Sequence, residues 1–236
     1  FVFLKSKAKL LNIAYVGYSY AIACWSCGQA FAIIQHQHQA GLFLWRISHV
    51  GVIFIPIFFV HFVIDLFPRK QRSGQRVPLF LSYIVGFLFL ILNFSGFLVK
   101  DVSPKGHFRF AMEPGPWYLP FVLIWIAWVI YGLFRLFKLY QQSNEARRKQ
   151  LSYFSISMFF AYLGSSPNFL PAFQIEIPIL MPFGTYALVI YALFTAYAIA
   201  RHRLMDIEVI IKRTLVFAGM FAVIVGTVTT VAYILN

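Results

Sequence analysis

The sequence predicts an all-α fold: a polytopic bundle of about seven membrane-spanning helices. Three observations predict it. Hydrophobic residues make up 61% of the chain and charged residues 11%, with a mean hydropathy of +0.76. Soluble domains carry about 25% charged residues, so a soluble fold of this length could not hide so much apolar surface. The apolar residues come in runs long enough to cross a bilayer, which takes about 20 residues in a helix. The cations gather in alternate connections between those runs. The net charge of +13 would point to nucleic acid in a soluble protein. Here the cations sit between apolar runs, so membrane orientation explains them and nucleic acid is not expected as a partner.

In chain order, Phe1–Leu4 followed by Lys5, Lys7 and Lys9 reads as the tail of a helix that lies before Phe1. The expected spans are then 10–34, 43–67, 79–99, 117–139, 151–172, 179–200 and 214–235. Helices are favoured over a barrel because lipid offers no partner to an unpaired amide, and runs such as Phe87-Leu-Phe-Leu-Ile-Leu92 do not alternate. One set of connections holds sixteen Lys and Arg, among them Arg69, Lys70, Arg72, Arg76, Arg147, Arg148, Lys149, Arg201 and Arg203. The other set holds four: Arg46, Lys100, Lys105 and Arg109. This asymmetry places the first set in the cytoplasm. The longest outer connection, roughly 100–116, reads as a loop with aromatic anchors Trp117 and Tyr118 at its end.

Polar residues inside the runs are the candidates for function. His61 and Asp65 lie one helical turn apart, near the inner end of their run, and read either as a polar switch or as a helix-end pair. His49 and His61 are twelve residues apart on one helix, whereas bis-histidine haem needs a partner on another helix at matching depth, so no haem is expected. His36-Gln-His38 offers two imidazoles where zinc needs three or four ligands, and no metal is expected. Cys24-Trp-Ser-Cys27 has redox spacing, but inside an apolar helix it reads as packing. Ser165-Ser-Pro-Asn-Phe-Leu-Pro171 breaks a helix near the outer face and frees carbonyls. Asn168 and Glu176 are therefore candidate ligand-binding groups, with Trp45, Arg46, Glu113, Trp117 and Tyr118 at the same level. An outer cavity with aromatic walls suits a small amphiphilic ligand; an ordinary outer rim is the other reading.

Several chemistries are excluded. The runs 179–200 and 214–235 contain no Lys that could hold retinal, and no H-E-x-x-H, P-loop or G-x-S-x-G occurs. Catalysis within these residues is not expected, and no cofactor is called for. A transporter or channel is the alternative function, but few polar residues (Ser26, Gln29, Asn93, Ser95) lie at mid-membrane.

Tyr197-Ala-Ile-Ala-Arg-His-Arg-Leu-Met-Asp-Ile207 and Ile210-Ile-Lys-Arg-Thr-Leu-Val216 resemble the membrane end of the N-terminal seven-helix sensor region of bacterial histidine kinases. Leu44-Trp-Arg46 with Phe54-Ile-Pro-Ile-Phe-Phe-Val-His-Phe-Val63, Arg147-Arg-Lys-Gln-Leu-Ser-Tyr153 and Asn168-Phe-Leu-Pro171 resemble further parts of that region, in the expected order. The resemblance implies a sensor domain over 1–200 carrying family helices two to seven, and a cytoplasmic connector over 201–213. An additional membrane helix over 214–236 would lead toward an output domain. It implies a bacterial inner-membrane receptor that binds a small or lipid-like ligand and works as a homodimer. Arg201, Arg203, Asp206 and Glu208, with His61 and Asp65, would pass the signal to a cytoplasmic kinase and through it to a response regulator.

Overall fold

The computed structural model describes residues 9–68, 71–105, 108–175, 177, 187, 189–195 and 197. The described residues fall into two compact units, one over 13–132 and one over 133–197 with 9–12.

The first unit is organised around one helix. Helix α1 (Lys9–Ile33) is followed by α2 (His38–Leu66), α3 (Arg76–Phe94) and α4 (Tyr118–Gln141), the last running on into the second unit. Within α2, between Ser48 and Leu66, only Val50, Phe54, Phe58, His61 and Asp65 escape full burial. Their spacing of three and four makes a single stripe, so α2 is enclosed on every other side. At 29 residues it is about 44 Å long, longer than the hydrocarbon layer, so both of its ends reach polar surroundings.

Small residues allow α1 to lie close against α2. A Cβ on Gly51 would stand 2.2 Å from the Ala21 carbonyl oxygen, and one on Gly28 would stand 2.8 Å from the Ser48 backbone. At this approach Ser48 Oγ donates to the Trp25 carbonyl at 2.9 Å and Cys24 Sγ to that of Ile47 at 3.3 Å. Polar side chains here act as interhelical bonds, as they do where lipid removes the hydrophobic drive to associate. Cys24 and Cys27 are free thiols.

Helix α3 is polar and small on its inner face and apolar outside. Ser82, Gly86, Phe89 and Asn93 are buried, while Val77, Phe80 and Ile91 are each more than 60% exposed. That inversion of a soluble helix is stable only against lipid. Three described helices, α2, α3 and α4, are long and apolar enough to cross a membrane. Tyr, Ser, Gly and Trp lower the apolarity of α1, and the charged first turn lowers that of the fifth helix, α5. The seven expected spans are thus not all visible among the described residues.

The expected third span, 79–99, ends five residues early. Gly96 takes φ +82, a left-handed cap, and the amides of Phe97 and Leu98 both donate to the Leu92 carbonyl at 3.0 and 3.1 Å. The chain then enters an antiparallel hairpin, β1 (Val99–Lys105) and β2 (Phe108–Pro114), where a plain loop was expected. Asp101 lies opposite Glu113, Val102 opposite Met112 and Ser103 opposite Ala111, with irregularities on either side. Among the described residues the fold is helical with this one ribbon added. The second expected span, 43–67, begins earlier, at His38.

In the second unit, α5 (Glu145–Ser165) starts at Asn144, whose side chain accepts from the Arg147 amide at 3.0 Å. Arg148 reaches back to the Tyr140 and Gln141 carbonyls at 3.3 and 2.8 Å, closing the exposed end of α4. The expected span 151–172 is α-helical only as far as Ser165. A 3-10 stretch, Ser166–Phe173, follows through Pro167 and Pro171 and ends on Gln174 at φ 62. Residues 189–195 are helical, with Tyr197 in edge contact with Tyr153.

Candidate functional site

Three places along α2 carry its polar chemistry. At the hairpin end, Trp45 Nε1 donates to the Phe110 carbonyl at 2.9 Å. Arg46 donates from Nε and its terminal nitrogen to the Val99 carbonyl at 3.4 and 3.3 Å. Asn93 Nδ2 of α3 in turn donates to the Arg46 carbonyl at 2.8 Å. His38 Nε2 stands 2.9 Å from Asp101 Oδ1. Two strands alone are marginal in water, so these side chains pin the ribbon to α2. Gly115 closes the arrangement, since a Cβ there would stand 2.2 Å from the Phe97 carbonyl oxygen. Tyr118 is buried against His49, whose Nδ1 donates to the Trp45 carbonyl at 2.9 Å.

At the middle of α2, Pro56 has no N–H to give the Val52 carbonyl one turn back. Trp125 of α4 supplies the missing donor: its Nε1 lies 2.9 Å from Val52 O in a buried contact. A carbonyl stranded in an apolar interior costs about 1–3 kcal/mol, so the indole fixes the rotation of α4 against α2. Ile57, Ser82, Gly86, Phe89 and Phe121 close around this bond in a narrow apolar groove.

At the other end lies a polar network of four side chains. Tyr83 of α3 and His61 Nδ1 are 2.8 Å apart, with the rings edge-on at 90°. His61 Nε2 faces Asp65 Oδ2 at 3.5 Å. Asp65 Oδ1 accepts from Arg72 at 3.1 Å, and the same guanidinium donates to the carbonyls of Asp65 and Phe67, the latter at 2.7 Å. Arg72 thereby caps the C-terminal carbonyls of α2, where a cation also suits the helix dipole. Gln75, in the same connection, accepts from the Tyr131 hydroxyl of α4 at 3.1 Å. Aromatic rings run along α2 toward this network: Phe54 meets Phe87 and Phe58, and Phe58 meets Tyr83. Trp45 and His61 are sixteen residues apart, about 24 Å along the helix.

The structure thus brings His61 and Asp65 together and adds Tyr83 and Arg72. The sequence marked Arg72 only as an orientation charge and did not single out Tyr83. Of the residues expected at the ligand, Trp45, Arg46, Glu113 and Tyr118 gather at the hairpin. Trp117 follows it with its side chain half exposed and its amide on the Phe97 carbonyl. Asn168 lies in the 3-10 stretch of the second unit, half-buried. Glu176, Arg201, Arg203, Asp206 and Glu208 lie outside the described residues. Among the described residues no three His, Cys, Asp or Glu side chains are placed to hold a metal ion.

Comparison with protein families matches residues 1–208 to the family described as the N-terminal 7TM region of histidine kinase. Comparisons with curated proteins and with solved structures return no match. The family match covers most of the chain, including the long apolar helices α2, α3 and α4, and agrees with the resemblance carried by Leu44–Arg46, Phe54–Val63 and the segment that opens at Tyr197. The chain belongs to the family of N-terminal seven-transmembrane regions of histidine kinases and is a membrane protein.

Proposed function

We propose that the chain is the signal-sensing domain of a bacterial sensor histidine kinase in the inner membrane, with its Lys- and Arg-rich connections in the cytoplasm. A small or amphiphilic ligand binds in the outer half and favours one packing of the helices over another. It can do so only by binding the two packings unequally. The change passes through 201–213 to a kinase, which works as a homodimer and signals to a response regulator.

One observation carries this reading. A single enclosed helix, α2, is tied to the hairpin at one end by Trp45 and Arg46. At its other end it is tied to a connection by Asp65 and Arg72. A rigid helix held at both ends transmits displacement along its axis, because a close-packed interior does not deform continuously. Glu113 and Trp117, beside that clamp, are the ligand contacts proposed in the first unit. Asn168 and Glu176 are those proposed beyond it.

In the full kinase, Asn168→Ala and Glu176→Ala should each weaken ligand binding, and two unchanged binding curves would remove them from the site. Asp206→Ala should change autophosphorylation while leaving ligand affinity nearly unaltered. Arg201, Arg203 and Glu208 are open to the same assay, and normal output from all four variants would end the transmission role of this segment.

A further inference from the structure

We propose that His61 is a proton-binding site, and that its occupancy decides whether Arg72 holds the end of α2. The proposal deepens the sensor reading, on which its use in signalling rests, by naming the proton as a ligand.

The argument starts from the tautomer. Asp65 is a carboxylate held by Arg72, so its second oxygen, Oδ2, is an acceptor facing His61 Nε2. Only the tautomer with hydrogen on Nε2 avoids setting a lone pair against that oxygen. Nδ1 is then the lone pair, and the Tyr83 hydroxyl donates to it. Asp65 Oδ2 is buried with no hydrogen bond, at 3.5 Å from Nε2, so one bond in the network stands unmade.

The charges are also unequal in number. The network holds one carboxylate and, in Arg72, one permanent cation, and so is neutral as it stands. A proton taken from water onto Nδ1 makes imidazolium. The Tyr83 hydroxyl then turns to accept from Nδ1–H, and Nε2–H closes on Asp65 Oδ2. One carboxylate now faces two cations, and a surplus buried charge is costly. The two side chains are equally exposed, each about a quarter, but His61 is fixed on a packed helix whereas Arg72 stands on a connection that can move. Arg72 is therefore the cation that leaves. Its departure strips the donor from the Asp65 and Phe67 carbonyls and loosens the connection at Arg72, while Gln75 keeps its bond to Tyr131 of α4.

No other described group competes for the role. Tyr83 faces His61 from α3, Asp65 from its own helix and Arg72 from the connection. On α4 the Tyr131 hydroxyl is bonded to Gln75, and on α1 Tyr15 packs on Phe62.

The test follows the connection itself, in the whole chain in lipid nanodiscs. Gly74 has open space around it and accepts a spin label as Gly74→Cys, with Cys24 and Cys27 changed to Ser. Between about pH 8 and about pH 5, the range in which a histidine switches charge, the label should pass from restricted to mobile in a one-proton transition. His61→Gln should abolish the transition and keep the label restricted. Asp65→Asn should leave it mobile throughout. Tyr83→Phe removes a bond from both protonation states, and because the bond to the imidazolium is charge-assisted and the stronger of the two, the midpoint should move about one unit toward acid. A flat wild-type titration overturns the proposal, as does a transition that persists in His61→Gln. If His61→Gln fails to fold, a midpoint unmoved in Tyr83→Phe overturns it. The readout needs no kinase, so a transition that leaves autophosphorylation unchanged would refute the signalling use while the proton site stands.

Discussion

The bond between Trp125 and the Val52 carbonyl allows a test in which one mutation changes the cost of another. Trp125→Phe keeps a ring in the groove but removes its donor. The Val52 carbonyl then has no partner, because Pro56 has no N–H and the surroundings are apolar. Interhelical hydrogen bonds in membranes average about 0.6 kcal/mol and reach about 1.7 kcal/mol, because the partners usually find substitutes. This carbonyl has no substitute within its helix, so the upper end applies, and packing lost with the smaller ring adds to it. Pro56→Ala restores an amide one turn from Val52 and lets the helix satisfy its own carbonyl. In that background Trp125→Phe should therefore cost about 1 kcal/mol less than in the parent chain. Reversible unfolding of the four proteins in bicelles by increasing SDS gives the coupling directly. Strict additivity would refute the reasoning, since it would mean that the proline does not create the need that the indole meets.

Three further outcomes test the framework. Gly51→Val places a branched side chain against the Ala21 carbonyl and the Trp25 amide, where backbone must shift; it should cost about 3 kcal/mol or more, while Gly74→Val, in open space, should cost little, as read by the same unfolding assay. Trp45→Phe removes the donor to Phe110 and should speed hydrogen exchange of the amides in β1 and β2 several-fold, with α3 and α4 unaffected in mass-spectrometric exchange. Asn144→Ala should cost about 1 kcal/mol through loss of the cap on the Arg147 amide, and Asn144→Ser should recover most of it in thermal unfolding.

Some of the departures from expectation left a mark in the sequence. Phe108, Phe110 and Met112 alternate with Arg109, Ala111 and Glu113, which is the period of a strand. The partner strand carries Pro104 and three charges within Val99-Lys-Asp-Val-Ser-Pro-Lys105, and the prolines and glycines around the pair gave the stretch the composition of a loop. Gly96 is a helix stop of the usual kind, yet the apolar run continues through Phe97, Leu98 and Val99, so hydropathy alone carried the span past it. In the same way Pro56 announced that the Val52 carbonyl needed a donor, without saying which residue would provide one.

By itself the sequence determined that the chain is helical, lies in a membrane and belongs with the sensor regions of histidine kinases. Those properties depend on composition, on run length and on local patterns, all of which are written along one segment at a time. It also determined that His61 and Asp65 share a face, because 3.6 residues per turn fixes that within any helix. Only the tertiary structure decided that Tyr83 and Arg72 complete the pair, that Trp125 answers Pro56, and that Trp45 and Arg46 hold a hairpin. Each of these contacts depends on how far one helix is rotated and shifted against another. That register is set jointly by residues such as Gly51, Gly28 and Gly86, through how closely they let two backbones approach, and spacing along a single helix does not contain it.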